Sequence, residues 1–237
     1  PRAVALGTDD VTVVCWALPV DAGSTALERR EALLSAAAPP SRWWPVVVDP
    51  SWEDALTEVP QSHDALADLD VEDGPTLLDQ RWTSAHDRAE REERLGMHRG
   101  TTPGPTVAAV TRAVVGPPSS LEGGDVVVVL AHGAWQVPAV LGWAPVDGGL
   151  GAHDLSAVLQ YWQEQWGAHL VALGADSFVL RVEDPPATEE DALAVAQEVL
   201  AVAPMLVSAD LVEPLPRVAE LLAPALLGAG WWHVRLG

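Results

Sequence analysis

The chain has 237 residues, 49% hydrophobic and 20% charged, which is ordinary for a globular protein and enough to bury a sizeable core. Its charge is not ordinary, with 13 Lys and Arg against 34 Asp and Glu for a net charge of −21. Such a field repels phosphate backbones and anionic lipid, which sets aside nucleic acid and membrane surfaces as partners; a basic protein or a cation fits better, although solubility alone also accounts for an acidic surface.

Taken in order, Val11 to Leu18 reads as a buried strand closed by Pro19. Ser24 is placed to cap a helix running to about Ala37, with Leu27, Leu34 and Ala37 inward and Pro39-Pro40 ending it. Trp43 to Val48 is a second strand, and Pro45 inside it favours an edge position or a bulge. A short helix from Trp52 to Val59 completes a strand–helix–strand–helix order, which favours an α/β layer arrangement. From Gln61 to Gly74 the chain is an acidic loop, and Thr76 to Met97 is a helix, amphipathic in its first half and charged in its second. His98 to Pro105 reads as a linker between two halves of a single domain, 1–97 and 106–237. Thr106 to Val115 fits a strand or a helix equally. Val126 to Val146 is uncharged and long enough to span a bilayer, but His132, Gly133, Gln136, Pro138 and Gly142 interrupt it; it reads as a strand (Val126–Leu130), a turn and a short apolar segment.

The stretch from Ala139 to Pro204 is the most regular. Leu155, Val158, Leu159, Trp162 and Trp166 fall at helical spacing, with Asp154 as N-cap and Gly167 as stop. His169–Leu173 and Ser177–Val182 are strand-like runs joined by Gly174-Ala175-Asp176, a hairpin loop. Pro185-Pro186 then bars helix continuation. Thr188 caps a helix whose first turn, Glu189, Glu190 and Asp191, complements the dipole, with Ala192, Leu193, Ala196, Val199 and Leu200 on one face. A helix from about Pro216 to Leu227, divided or kinked by Pro224, and a strand from Trp231 to Leu236 close the chain.

This order resembles a bacterial family known as a domain of unknown function, numbered 4253. The resemblance is carried by Leu141-Gly142-Trp143, the helix LSAVLQYWQEQWGA, the strands HLVAL and SFVLRVE, then PPATEEDALAVAQEVL, and a final helix followed by Gly230-Trp231-Trp232. It is strongest over 139–200; ALERREALL and WWPVVVD are similar to the N-terminal part of actinobacterial members. Family members tend to continue with Cys-Pro-Asp and a polar Gly-containing loop and to end in an aromatic run closed by an acid. Here the chain reads Ala203-Pro204-Met205-Leu206 and ends Trp231-Trp232-His233-Val234-Arg235-Leu236-Gly237, so a function resting on those residues would be lost or replaced.

Absences limit the chemistry. The chain contains no Lys, Ile or Asn, three residues with A/T-rich codons, which points to a G+C-rich genome of the actinobacterial kind. Without Lys there is no P-loop lysine, no kinase lysine and no Schiff-base anchor. A single Cys15 in an apolar run allows no intrachain disulfide and no cysteine zinc cluster, and the opening residues do not read as a secretory leader; together these favour the cytoplasm.

The candidate sites each have a plainer explanation. His63-Asp64, His86-Asp87 and His153-Asp154 are adjacent pairs, and sequence neighbours do not face each other on a helix or strand. His86 and Glu90 could share a metal, but two ligands do not specify one. An EF-hand begun at Asp68 would need Gly and Glu where Asp73 and Asp79 stand. Gly148-Gly149-Leu150-Gly151 before a helix could cradle an anion, although a flexible turn suffices. No metal or other cofactor is expected.

Eleven Trp against one Tyr and one Phe is the remaining oddity. Trp16, Trp162 and Trp166 fit inward faces. In Trp43-Trp44 and Trp231-Trp232 one indole of each pair must leave its neighbour's face, and an exposed one would anchor a protein partner. Trp143, in a Gly/Pro-rich connection, is the leading anchor, followed by Trp231, Trp232 and Trp44. The sequence therefore predicts an α/β or α+β fold with a mixed sheet and packed helices. Its function is read as a cytoplasmic, non-catalytic protein-binding module, of the kind used in immunity or regulation. The alternative is an enzyme whose site is assembled from dispersed His and Asp or Glu.

Overall fold

Short β-branched and aromatic runs build a seven-stranded mixed sheet in the order β1-β2-β4-β3-β5-β6-β7. The strands are β1 (Arg2–Gly7), β2 (Thr12–Leu18), β3 (Trp43–Val48), β4 (Asp125–Leu130), β5 (Ala168–Leu173), β6 (Ser177–Val182) and β7 (Trp231–Arg235). The computed structural model describes residues 2–7, 12–18, 25–36, 42–58, 60, 61, 66, 73–94, 114, 124–144, 150–203 and 214–236. The expected linker at 98–105, residues 106–113, most of the acidic loop, Gly148-Gly149 and the segment from Pro204 to Glu213 lie outside them. Strands β3 and β5 run parallel and every other neighbouring pair runs antiparallel. Strand β1 has no counterpart among the elements expected from sequence.

The helices are α1 (Ala26–Ala36), α2 (Asp73–Arg94), α3 (Val137–Leu141), α4 (Ala152–Trp166), α5 (Glu189–Val202) and α6 (Leu215–Leu226). The predicted helix–strand–strand–helix unit is α4-β5-β6-α5. Gly167 ends α4 in the left-handed region at φ 56°, and the Thr188 hydroxyl caps α5 by accepting from the Asp191 N–H. Helix α4 begins earlier than expected: Gly151 is its N-cap and Asp154 sits in its first turn. Helix α1 is fixed by a capping box, in which Glu28 N–H donates to Thr25 Oγ1 and Thr25 N–H donates to Glu28 Oε2. Its buried side chains are Ala26 and Arg30, while the expected Leu27 and Leu34 are half-buried. The Trp52–Val59 helix is a 3-10 turn, Trp52–Ala55, and the apolar segment of open type is a 3-10 turn followed by α3.

The two sheet faces differ. Cys15, Val46, Val48, Val127, Val129, Phe178, Leu180, Trp232 and Val234 form the main core together with α3 to α6 and the start of α2. A register shift in β5 between Leu170 and Ala172 turns both Leu170 and Leu173 to this side. Gly74 lets α2 approach α4 closely, since a Cβ there would lie 2.7 Å from Tyr161 Cβ and 2.8 Å from the Ala157 carbonyl oxygen. The opposite face carries a small cluster of Ala26, Val47, Val126, Ala172 and Val179 beneath α1.

Pro45 does not lie at an edge: β3 is flanked by β4 and β5. The proline has no N–H to give, and the β3–β5 ladder is confined to Val47↔Ala172 and Val48↔Leu173. The gap is closed by a side chain from α1. Arg30, 4% exposed, donates from Nε to the Pro45 carbonyl and from Nη2 to the Leu170 carbonyl, each at 3.1 Å. An inner proline is tolerated because an arginine fork satisfies the strands' carbonyls where they part.

Candidate functional site

Three adjacent strands gather large apolar side chains on the α1 face of the sheet. Trp16 on β2 is opposite Val128 on β4, which is opposite Pro45 on β3, and Trp43 on β3 is opposite Leu130. Directly opposed residues, and residues two apart on a strand, share a face, so Trp16, Val128, Leu130 and Trp43 form one patch. Trp16 is 40% exposed and Trp43 42% exposed; Val128 and Leu130 are half-buried between them. Their backbone positions are two strands apart and offset by two residues, a separation of about 12 Å. Arg42 precedes Trp43 in the chain, and α1, which packs on this face through Ala26, exposes Glu28, Arg29 and Glu31. The inward position expected for Trp16 is corrected: β2 gives Cys15 to the core, and alternation sends Trp16 to the other face.

The four tryptophans predicted as anchors do not come together. Trp143 is fully buried, its Nε1 donates to the Gly174 carbonyl at 2.9 Å, and its backbone bridges to Leu56. A partner cannot reach it, so the leading expectation is overturned by its placement. Trp232 is also fully buried, packed edge-on against Trp162 with ring centroids 5.7 Å apart. Trp44 lies half-buried on the core side, its indole nitrogen buried without a hydrogen-bond partner. Trp231 lies on the outer face, half-buried, with the Arg181 guanidinium 5.0 Å from its ring centroid. Each consecutive pair is thus split between faces as the strand period requires. The outward members are Trp43 and Trp231; the sequence candidates omitted Trp43 because only the position of the helical layer decides which face is covered.

The polar candidates also separate. His132 and His153 are exposed, and His86 meets Glu90 at 3.4 Å on α2. Among the described residues no group of three or more His, Cys, Asp and Glu is placed to hold a metal. The helix start considered for an external anion holds one from the chain itself: Glu58 Oε2 accepts from the Ala152 N–H at 3.1 Å.

No curated protein and no solved structure matches the chain. One family does, over β4 to β7, and the match takes in the segments on which the resemblance was drawn from Leu141 to Trp232, but not ALERREALL or WWPVVVD. Residues 125–235, a little under half of the chain, match the family described as Domain of unknown function (DUF4253).

Proposed function

We propose that this protein is a non-catalytic protein-binding module, acting in the cytoplasm by occupying a partner as immunity and regulatory factors do. The observation that carries this reading is the Trp16–Val128–Leu130–Trp43 patch on the outer sheet face. Large indoles are enriched at interface hot spots, because they remove much apolar surface from water at small cost in side-chain entropy. A stable interface buries about 800 Å² per partner, more than four side chains supply. The contact therefore extends to Arg42 and the exposed side of α1, giving an apolar centre with a charged rim. With a net charge of −21, the favoured partner is a basic protein.

The test is recovery of partners from the native host with wild type and with a Trp16→Ser/Trp43→Ser double variant, both confirmed folded by thermal melting. The reading expects a protein retained by wild type and absent from the variant. Identical recovery by the two proteins would remove this face from consideration.

A further inference from the structure

A cleft of about 180 Å³ opens between α2 and α5, on the helical side of the sheet. Leu78, Asp79 and Trp82 line it from α2, and Gln197 and Glu198 from α5. At ~30 Å³ per water this is room for about six waters, or for the end of a long cationic side chain.

Glu198 is the unusual group. Its Oε1 accepts from the Tyr161 hydroxyl at 3.1 Å, and its Oε2 accepts from Trp162 Nε1 at 2.8 Å. Both donors are neutral, and no Arg or His among the described residues pairs with this carboxylate. Burial holds its pKa above the ordinary value, with the two hydrogen bonds opposing the shift. A carboxylate offers about four acceptor positions, so roughly two remain unused on a side chain that lines the cleft. Buried charges are ordinarily paired. Among the described residues none forms an ion pair with Glu198, while an exposed acid (Asp79) and a half-buried indole (Trp82) line the same cleft. In the larger groove between α5 and α6, about 300 Å³, Glu220 already pairs with Arg217 and the other acid, Glu189, is exposed to water. A hard metal ion would need more oxygen ligands than the cleft presents, whereas an indole and a leucine suit the carbon stem of an organic cation.

We propose that this cleft binds an organic cation, an alkylammonium or guanidinium group, with Glu198 as its counter-charge, Trp82 packed on its stem and Asp79 at the mouth. The site lies on the other side of the sheet from the Trp16–Trp43 patch and stands or falls independently of it. The cation could come from a free amine or from a basic side chain of another protein, and both share this chemistry.

Calorimetric titration of the full chain tests the proposal with n-butylguanidinium, n-butylammonium, the neutral n-butylurea and a capped Gly-Arg-Gly peptide. At least one cation is expected to saturate at millimolar or lower concentration while butylurea does not. Glu198→Gln is expected to weaken cation binding about tenfold or more. The charged or titratable groups around Glu198 are Asp79 across the cleft, Arg81 on α2, which donates from Nε to the Ala201 carbonyl, and Tyr161 on α4. Cation binding should weaken as pH falls and Glu198 takes up its proton. Tighter binding of the peptide than of the free cations assigns the source to a protein side chain, and the reverse assigns it to a small amine. Failure of every cation to saturate, equal binding of butylurea, or undiminished binding by Glu198→Gln overturns the proposal; the butylurea comparison needs only wild type.

Discussion

Arg30 shows how one side chain can accommodate a proline on an inner strand. Its guanidinium holds the carbonyls of Pro45 and Leu170 where β3 and β5 separate, and it does so from a position 4% exposed. Burial lowers its pKa, and the neighbouring Glu31 carboxylate opposes that shift. Arg30→Met keeps apolar bulk but leaves two buried carbonyls without donors, which should destabilise the fold by about 2–4 kcal/mol in urea denaturation. Arg30→Lys should recover little of this, because a single ammonium cannot bridge both carbonyls as the fork does. Glu198 is the other residue out of balance. Its folded pKa is raised above 4.5, so ionising it is harder in the folded chain than in the unfolded one. Its favourable contribution is complete below pH 4.5 and is lost as pH rises through the folded value. Between about pH 4 and pH 7, wild type should therefore lose stability relative to Glu198→Gln. Parallel stability curves for the two proteins would contradict this.

Elements whose signals are local were legible in the sequence. Helix α4 announced itself by Leu155, Val158, Leu159 and Trp162 at helical spacing and by Gly167 beyond them, and α5 by Thr188 and its acidic first turn. Strand β1, RAVALG, carries too little alternation to stand out and exists by pairing with β2 from Arg2↔Ala17 to Gly7↔Thr12. Pro45 pointed to an edge because the residue that satisfies its surroundings comes from a helix fifteen positions away. Trp143 pointed to a surface loop because glycine and proline surround it, yet the Leu56 bridge and the Gly174 carbonyl draw it inside. The candidate patch was hidden for the same reason, since alternation separates the faces of a strand without saying which one the helices cover. The turn after α3 gives a test at this scale. Gly142 and Gly228 both adopt left-handed backbone, at φ 67° and 68°. A Cβ on Gly142 would collide with the Glu58 carbonyl, whereas one on Gly228 meets nothing within 4 Å. Gly228→Ala should cost about 1–2 kcal/mol, and Gly142→Ala clearly more. Equal losses would show that the packing around Gly142 does not constrain it.

At the scale of the whole molecule, helices pack heavily on one sheet face while the other carries α1 and an apolar patch, and the chain bears a charge of −21. Self-repulsion at that charge opposes the compact state, and salt screens it. Raising NaCl from a few millimolar to about 0.5 M should increase the melting temperature, and a decrease would mean that attractive ion pairs outweigh repulsion. The same field should steer a basic partner, so its association rate should fall with ionic strength while its dissociation rate changes little. The most direct measurement is the affinity of a recovered partner for wild type and for Trp43→Ser, by calorimetry at fixed salt. Loss of an exposed hot-spot indole should weaken binding by about 2 kcal/mol or more, roughly thirtyfold. Unchanged affinity in a variant that melts with wild type would contradict the assignment of the outer sheet face as the binding surface.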